Sequence, residues 1–323
     1  MNTTLEARLN GVDMFGESLR QTPRSITAKR FGAPPFSVLN ARDGYWQDRK
    51  RAWASLGIQG EVGRESLSSS ALSEGLFREA EQSEARQKIM AAGGAIAFDP
   101  ALCELAYRWF CPSAGQVLDP FAGGSVRGIV AACLGLCYWG CELRAEQVAA
   151  NYEQGNDICQ ADIGAGRLFW QEGDSMDMVP SAPEADFVFS CPPYGDLERY
   201  SDDPRDLSAM EWHTFVAAYK RIILRSVERL KPNRFACFVV GDFRDPRGFY
   251  RDFVSETIRG FRDAGAELYN EAIIVTSVGS ASMRVARQFN GGRKLCKTHQ
   301  NVLVFCKGDW RKASQACATF DEP

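Results

Sequence analysis

The chain has 323 residues, 45% of them hydrophobic, with a formal net charge of −3. That length buries a full core as one large domain or two small ones, and the charge excludes a polycation. No apolar run reaches transmembrane length and no export signal is apparent, so the eleven cysteines predict free thiols in a reducing cytoplasm. No Cys-x-x-Cys pair occurs and only two histidines, His213 and His299, are present, so no structural metal site is expected.

Residues 1 to about 92 read as an irregular or helical, mostly polar extension. Within it Ser66 to Ser73 is loop-like and Glu74 to Met90 is a charged helix candidate. From Gly93 the texture changes to alternating strands and helices. Gln116 to Leu118 reads as a strand, followed by a glycine turn and the apolar helix Val126 to Leu136. Cys137 to Cys141 is a second strand ending at Glu142, and Ala145 to Tyr152 a helix. Arg167 to Trp170 and Asp186 to Phe189 are the third and fourth strands. Met210 to Leu230 places apolar residues near helical spacing, and Pro232 stops it. Phe235 to Val240 is a fifth strand, Ser255 to Ala264 a helix, Glu271 to Thr276 a sixth strand and Val302 to Cys306 a seventh. This alternation predicts an α/β fold, a doubly wound, seven-stranded and mostly parallel sheet with right-handed crossovers. It spans 93–309, with 310–323 left as a tail.

Two turns carry chemistry. After the first strand comes Asp119-Pro120-Phe121-Ala122-Gly123-Gly124-Ser125, whose glycines let backbone approach a bound molecule and lead into a helix N-terminus. Glu142 follows 23 residues after Asp119, a distance at which an acid commonly takes a ribose hydroxyl. Asp174 stands after the third strand. Three acids at one sheet edge disfavour a phosphate-rich cofactor and suit a cationic, adenosine-bearing one such as S-adenosylmethionine. After the fourth strand comes Ser190-Cys191-Pro192-Pro193-Tyr194. The prolines remove donors and hold the chain extended, and the tyrosine stands where open sheets place ligands. Such a turn suits a flat aromatic substrate.

These residues resemble the amino-group DNA methyltransferases, which act on adenine N6 or cytosine N4. Asp119 to Gly124 is similar to their cofactor motif and Cys191 to Tyr194 to their catalytic motif. Phe98-Asp99-Pro100 resembles the cofactor-side segment that precedes the first strand, and His299 to Gly308 their closing strand. The region Gly44 to Arg51 resembles phage-encoded DNA methylases. The likeness implies a Rossmann-like methyltransferase fold, S-adenosylmethionine as cofactor and a base swung out of double-stranded DNA to stack on Tyr194.

Where the family has Asp, Asn or Ser before the prolines, this chain has Cys191, and a thiol is a weak acceptor. Three readings stand. Cys191 substitutes, with Ser190 or a backbone carbonyl accepting from the target amine. Alternatively it is a nucleophile that adds to pyrimidine C6 and activates C5. Otherwise it is inert. Asp242 either shapes the base pocket or is an ordinary turn acid.

Charge is unevenly spread. Arg20 to Ala54 carries a net +6, Arg284 to Lys297 five basic residues and no acid, and the remainder −14. Two basic islands on an acidic body suit a polyanion, or are solvated loops. Under the first reading Arg49, Lys50, Arg51, Arg284, Arg287, Arg293 and Lys294 contact the DNA backbone. A non-catalytic DNA-binding module and an enzyme acting on RNA or a small molecule remain as alternative classes.

Overall fold

The structure is a computed structural model that describes residues 25–58, 98–195, 201–276, 281–317 and 319–320, the side chains of 281–284 excepted. The segment Ser66 to Ser73 and the helix expected over Glu74 to Met90 lie outside the described residues.

Eight strands form one sheet: β1 (Val38–Asn40), β2 (Gln116–Asp119), β3 (Cys137–Glu142), β4 (Leu168–Glu172), β5 (Ala185–Ser190), β6 (Leu230–Val240), β7 (Glu267–Val275) and β8 (His299–Lys307). Their order is β1-β7-β8-β6-β5-β2-β3-β4. Every neighbouring pair is parallel except those made by β8, which runs antiparallel to both β6 and β7. Setting β1 aside, this is the Rossmann-like methyltransferase arrangement, seven strands with one reversed strand inserted beside the edge. The helices are α1 (Ile26–Phe31), α2 (Gly44–Ala54), α3 (Pro100–Phe110), α4 (Val126–Cys133), α5 (Ala145–Gly164), α6 (Ser175–Met178), α7 (Trp212–Arg229), α8 (Phe253–Asp263), α9 (Ala281–Gly292) and α10 (Trp310–Ala316).

The central strands are buried on both faces, which explains their unbroken apolar runs. Alternate residues feed two separate cores, as the two-residue repeat of a strand requires. Phe187 and Phe189 of β5, with Cys237 and Val239 of β6, join the core under α2, α3 and α4. Val188, Phe238 and Val240 join the core under α7 and α8. In the second core Phe261 stacks on Phe305 with centroids 3.9 Å apart; truncating such a ring to alanine costs about 3–5 kcal/mol.

Several sequence expectations need correction. The eighth strand is β1, pairing parallel with β7 through Val38 and Ile273, so residues 25–58 belong to the main body rather than to a separate extension. Trp46 and Trp53 of α2 are completely buried, and their indole N–H groups donate to Asp99 at 3.1 Å and Glu104 at 2.9 Å. Nor are residues 310–317 a loose tail, because α10 buries Ala313 and lays Trp310 against Tyr269 with centroids 5.9 Å apart. Helix α5 continues to Gly164, past Tyr152, with a break in helical geometry at Cys159. Its Gly155 lies so close to β4 that a Cβ there would meet the Trp170 ring at 3.0 Å.

Candidate active site

The strands β2 to β6 end on one edge, and β2 has β3 on one side and β5 on the other, so successive connections diverge there. Such a switch point opens a crevice at the carboxyl ends of the strands. The crevice is lined by Phe121, Gly123, Glu142, Asp174, Cys191 and Pro193, among others. The two sequence motifs therefore face one cleft.

On the β2 side, the glycine turn is held by its acids. Gly123 adopts φ +49°, a left-handed conformation that glycine takes without penalty, and its N–H donates to Glu142 Oε2 at 3.1 Å. The other carboxylate oxygen accepts from the Arg144 backbone N–H at 3.0 Å and from its guanidinium Nε at 3.2 Å. Glu142 is thereby fixed at the cleft's rim. Asp174 caps α6 by accepting from the Met176 N–H at 2.9 Å. The adjacent Ser175 hydroxyl donates to the Pro120 carbonyl at 2.5 Å, tying the β4 loop to the glycine turn. Gly124 borders the turn, while Ala122 and Ser125 are buried, the latter donating to Gln154 at 2.9 Å.

Asp119 corrects its expected role as a cofactor contact. It is completely buried, and accepts from Arg127 Nε at 2.6 Å, the Tyr138 hydroxyl at 2.8 Å, the Ser190 hydroxyl at 2.5 Å and the Phe121 N–H at 3.2 Å. Its function here is to organise the turn from below. Burial opposes the charge on Arg127, but Asp119 more than offsets it and raises the guanidinium well above its usual range. Arg127 also donates to the carbonyls of Phe121 and Ala122 and reaches the cleft wall. Sequence reading missed Arg127; a lone arginine inside an otherwise apolar helix was the available signal.

The segment Phe98-Asp99-Pro100 is likewise structural. Asp99 caps α3 by accepting from the N–H groups of Ala101 and Leu102, and Pro100 occupies the first turn, where a missing donor is harmless. Phe98 packs edge-on to Phe189 at 5.8 Å beneath the Arg127 guanidinium, 4.7 Å from its ring. None of the three lines the cleft.

On the β5 side, Ser190 is completely buried and turned inward to Asp119, so its hydroxyl does not face a substrate amine. That corrects its candidacy as the catalytic acceptor. Cys191 and Pro193 are half-buried and line the cleft, while Pro192 is buried. The two consecutive prolines supply no N–H of their own. The Tyr194 ring packs edge-on against Phe243 and Phe253, with centroids 6.2 and 6.1 Å away. Its hydroxyl accepts from Gln300 Nε2 at 2.6 Å.

Gln300 reaches this end of the sheet because β8 is reversed and presents its first residues there, a placement that sequence alone did not reveal. Lys297, just before β8, lies against Gly241, the Tyr194 ring also approaching that glycine. Burial lowers its ammonium pKa, with Asp242 opposing. Asp242 itself accepts from the Val254 N–H at 3.2 Å, an ordinary cap at the start of α8.

The basic residues divide. Arg49 is buried and forms an ion pair with the completely buried Glu104, which overturns its reading as a DNA contact. Trp46, Arg49 and Trp53 share three- and four-residue spacing, one helix face, and that spacing was the signal for a buried arginine. Lys50 sits 3.7 Å from Asp99, and the exposed Arg51 pairs with Asp48. Arg287, Arg293 and Lys294 are exposed between β7 and β8, whereas the Arg284 side chain lies outside the described residues. Among the described residues there is no metal-binding cluster, and no helix is long and apolar enough to cross a membrane.

No protein-family model and no curated protein sequence matches the chain. Solved structures of similar fold include TrmN from Thermus thermophilus, at 14% identity over 65% of this chain and 49% of that one, with a TM-score of 0.43. The chain thus spans about half the length of that protein. Magnesium protoporphyrin IX methyltransferase from Synechocystis PCC 6803, solved with S-adenosylmethionine bound, matches at 10% identity over 79% of this chain and 89% of that one (TM-score 0.40). A TehB-like S-adenosylmethionine-dependent methyltransferase from Corynebacterium glutamicum matches at 17% identity over 69% and 95% (TM-score 0.41). These are distant likenesses of fold.

Proposed function

We propose that this protein is an S-adenosylmethionine-dependent DNA methyltransferase that modifies the exocyclic amine of a base swung out of the duplex. The observation that carries the reading is the meeting of the glycine turn, Glu142 and Asp174 with Cys191 and Pro193 in one cleft. The donor set suits the cofactor: carboxylates for ribose hydroxyls and a cation, and a glycine turn that admits backbone close to a ligand. Phe121, Gly123, Glu142 and Asp174 would hold it, and when bound it supplies an electrophilic methyl group.

The chain's own contribution is orientation. In this reading Tyr194, one residue beyond the cleft-lining Pro193 and braced by Phe243, Phe253 and Gln300, supplies the stacking face; stacking of this kind contributes about 1–3 kcal/mol per base. With Ser190 committed to Asp119, the carbonyls of the Cys191–Pro192 segment are the acceptors for the amine hydrogens. Accepting both hydrogens turns the nitrogen lone pair out of the ring plane, which makes the amine a nucleophile.

A second reading is favoured by one observation: Cys191 and the Arg127 side chain line the same cleft. A cation beside a thiol favours its thiolate, as attack on pyrimidine C6 and methylation at C5 would need. Mass spectrometry of nucleosides from treated DNA tests both. N6-methyladenine or N4-methylcytosine supports amine chemistry, 5-methylcytosine supports the cysteine nucleophile, and no methylated base from any DNA overturns the proposal.

A further inference from the structure

The loop that joins β6 to α8 begins one ring away from Tyr194. Phe243, at its foot, packs against Tyr194 and closely under Gly195, where a Cβ would lie 3.1 Å from the Phe243 ring. The chain then runs out and back. Arg244 and Tyr250 form an antiparallel bridge, the Arg251 N–H donates to the Phe243 carbonyl at 3.0 Å, and the Gly248 N–H donates to the Asp245 carbonyl at 2.8 Å. This is a built hairpin, and it points two adjacent aromatic rings at solvent: Phe249 is 68% exposed and Tyr250 49%.

Each ring has a cation beside it. The Arg244 guanidinium lies 4.1 Å from the Tyr250 centroid and that of Arg247 6.0 Å from Phe249. Lys294 arrives from the neighbouring loop, its ammonium so close to Gly248 that a Cβ there would lie 2.8 Å away. The nearby carboxylates have their own work. Asp242 caps α8. Asp245 accepts from the Phe249 N–H and from Arg247, which hold it below the usual carboxylate range. Asp252 pairs with Arg259.

Two solvent-exposed aromatic rings, each with a guanidinium over one face, match a partner that is itself flat and anionic. We infer that this hairpin is a stacking ledge for a DNA strand. Bases unstacked beside the target lie on Phe249 and Tyr250, while Arg247 and Lys294 meet the phosphates. The choice of DNA rests on the proposed methyltransferase reading; the ledge itself rests on the hairpin's geometry. Bases inside a duplex hide their faces, so the ledge favours single-stranded or locally opened DNA.

The test is fluorescence anisotropy with a labelled single-stranded oligonucleotide, comparing the full chain with the double variant Phe249→Ala/Tyr250→Ala. Both rings are exposed, so folding should be unchanged by circular dichroism. Affinity should fall about tenfold or more, while the exchange Phe249→Tyr/Tyr250→Phe should restore it. Arg247→Gln/Lys294→Gln should flatten the dependence of affinity on salt. Wild-type affinity in the alanine variant, or an unaltered salt slope in the glutamine variant, overturns the ledge. If affinity falls as expected while no treated DNA carries a methylated base, the ledge stands and the methyltransferase reading fails. If methylated bases are found while the alanine variant binds normally, the reverse holds.

Discussion

The Ser190 hydroxyl donates to Asp119 Oδ1 at 2.5 Å, and both residues are completely buried. This single bond joins the end of β5, where the Cys191-Pro192-Pro193-Tyr194 segment begins, to the end of β2, where the glycine turn begins. The two motifs are therefore parts of one buried polar network that also includes Arg127 and Tyr138.

Breaking that network from either side should have different consequences. Ser190→Ala removes one donor and should cost about 1–3 kcal/mol of stability, with methylation persisting in the folded protein. Asp119→Asn leaves Arg127 buried without its counter-charge and should cost about 3–5 kcal/mol. Urea denaturation midpoints measure both, and equal losses in the two variants would contradict the hub assigned to Asp119.

Glu142→Ala should weaken S-adenosylmethionine binding at least tenfold, equivalent to about 1.4 kcal/mol. The variant loses the carboxylate proposed to meet the ribose and also the partner of the Gly123 N–H, so the turn itself loosens. Isothermal calorimetry reads the change, and an unaltered dissociation constant would remove Glu142 from the cofactor site.

For Cys191 the informative pair is Cys191→Ser and Cys191→Ala. If carbonyls accept from the target amine, both variants should keep substantial methylation, with the serine variant at least matching the alanine one. A cysteine nucleophile predicts loss of methylation in both. Single-turnover rates with labelled cofactor separate these outcomes.

Acid should expose the role of Asp186. Burial pushes its pKa up, but Lys231, the Gln116 N–H and Arg234 together hold it below the ordinary range. The unfolded chain therefore takes up this proton at a higher pH than the folded one. Its stabilisation is complete above the ordinary value of about 3.9 and is lost as pH falls through the folded value. Asp186→Asn should be less stable at neutral pH by about 1–3 kcal/mol, and the gap to wild type should close in strong acid. Melting curves across pH would show this convergence; a gap that persists would assign the effect to packing.

What was legible in the sequence followed from burial pattern. Strands β2 to β5 were readable because each is a compact apolar run next to a turn signal, and the glycine turn and the Pro192-Pro193 segment announced the edge at which they meet. The reversal of β8 was not readable, because an apolar run buried on both faces looks the same in either direction. Three-residue β1 has no periodicity to detect. The inward turn of Ser190 and the capping role of Asp99 depend on which neighbours fold beside them, and a motif's residue types do not encode that.

The reversed strand β8 also sets a timetable. It is hydrogen-bonded to β6 on one side and β7 on the other, and its Gln300 anchors Tyr194, a residue about a hundred positions earlier. A chain emerging from the ribosome can form the β2–β5 half of the sheet early, because these strands and their helices are close in sequence. The Gln300 anchor of Tyr194 is completed only after residue 300 has been made. Such distant pairings form late, so the glycine turn can be in place before Tyr194 is fixed.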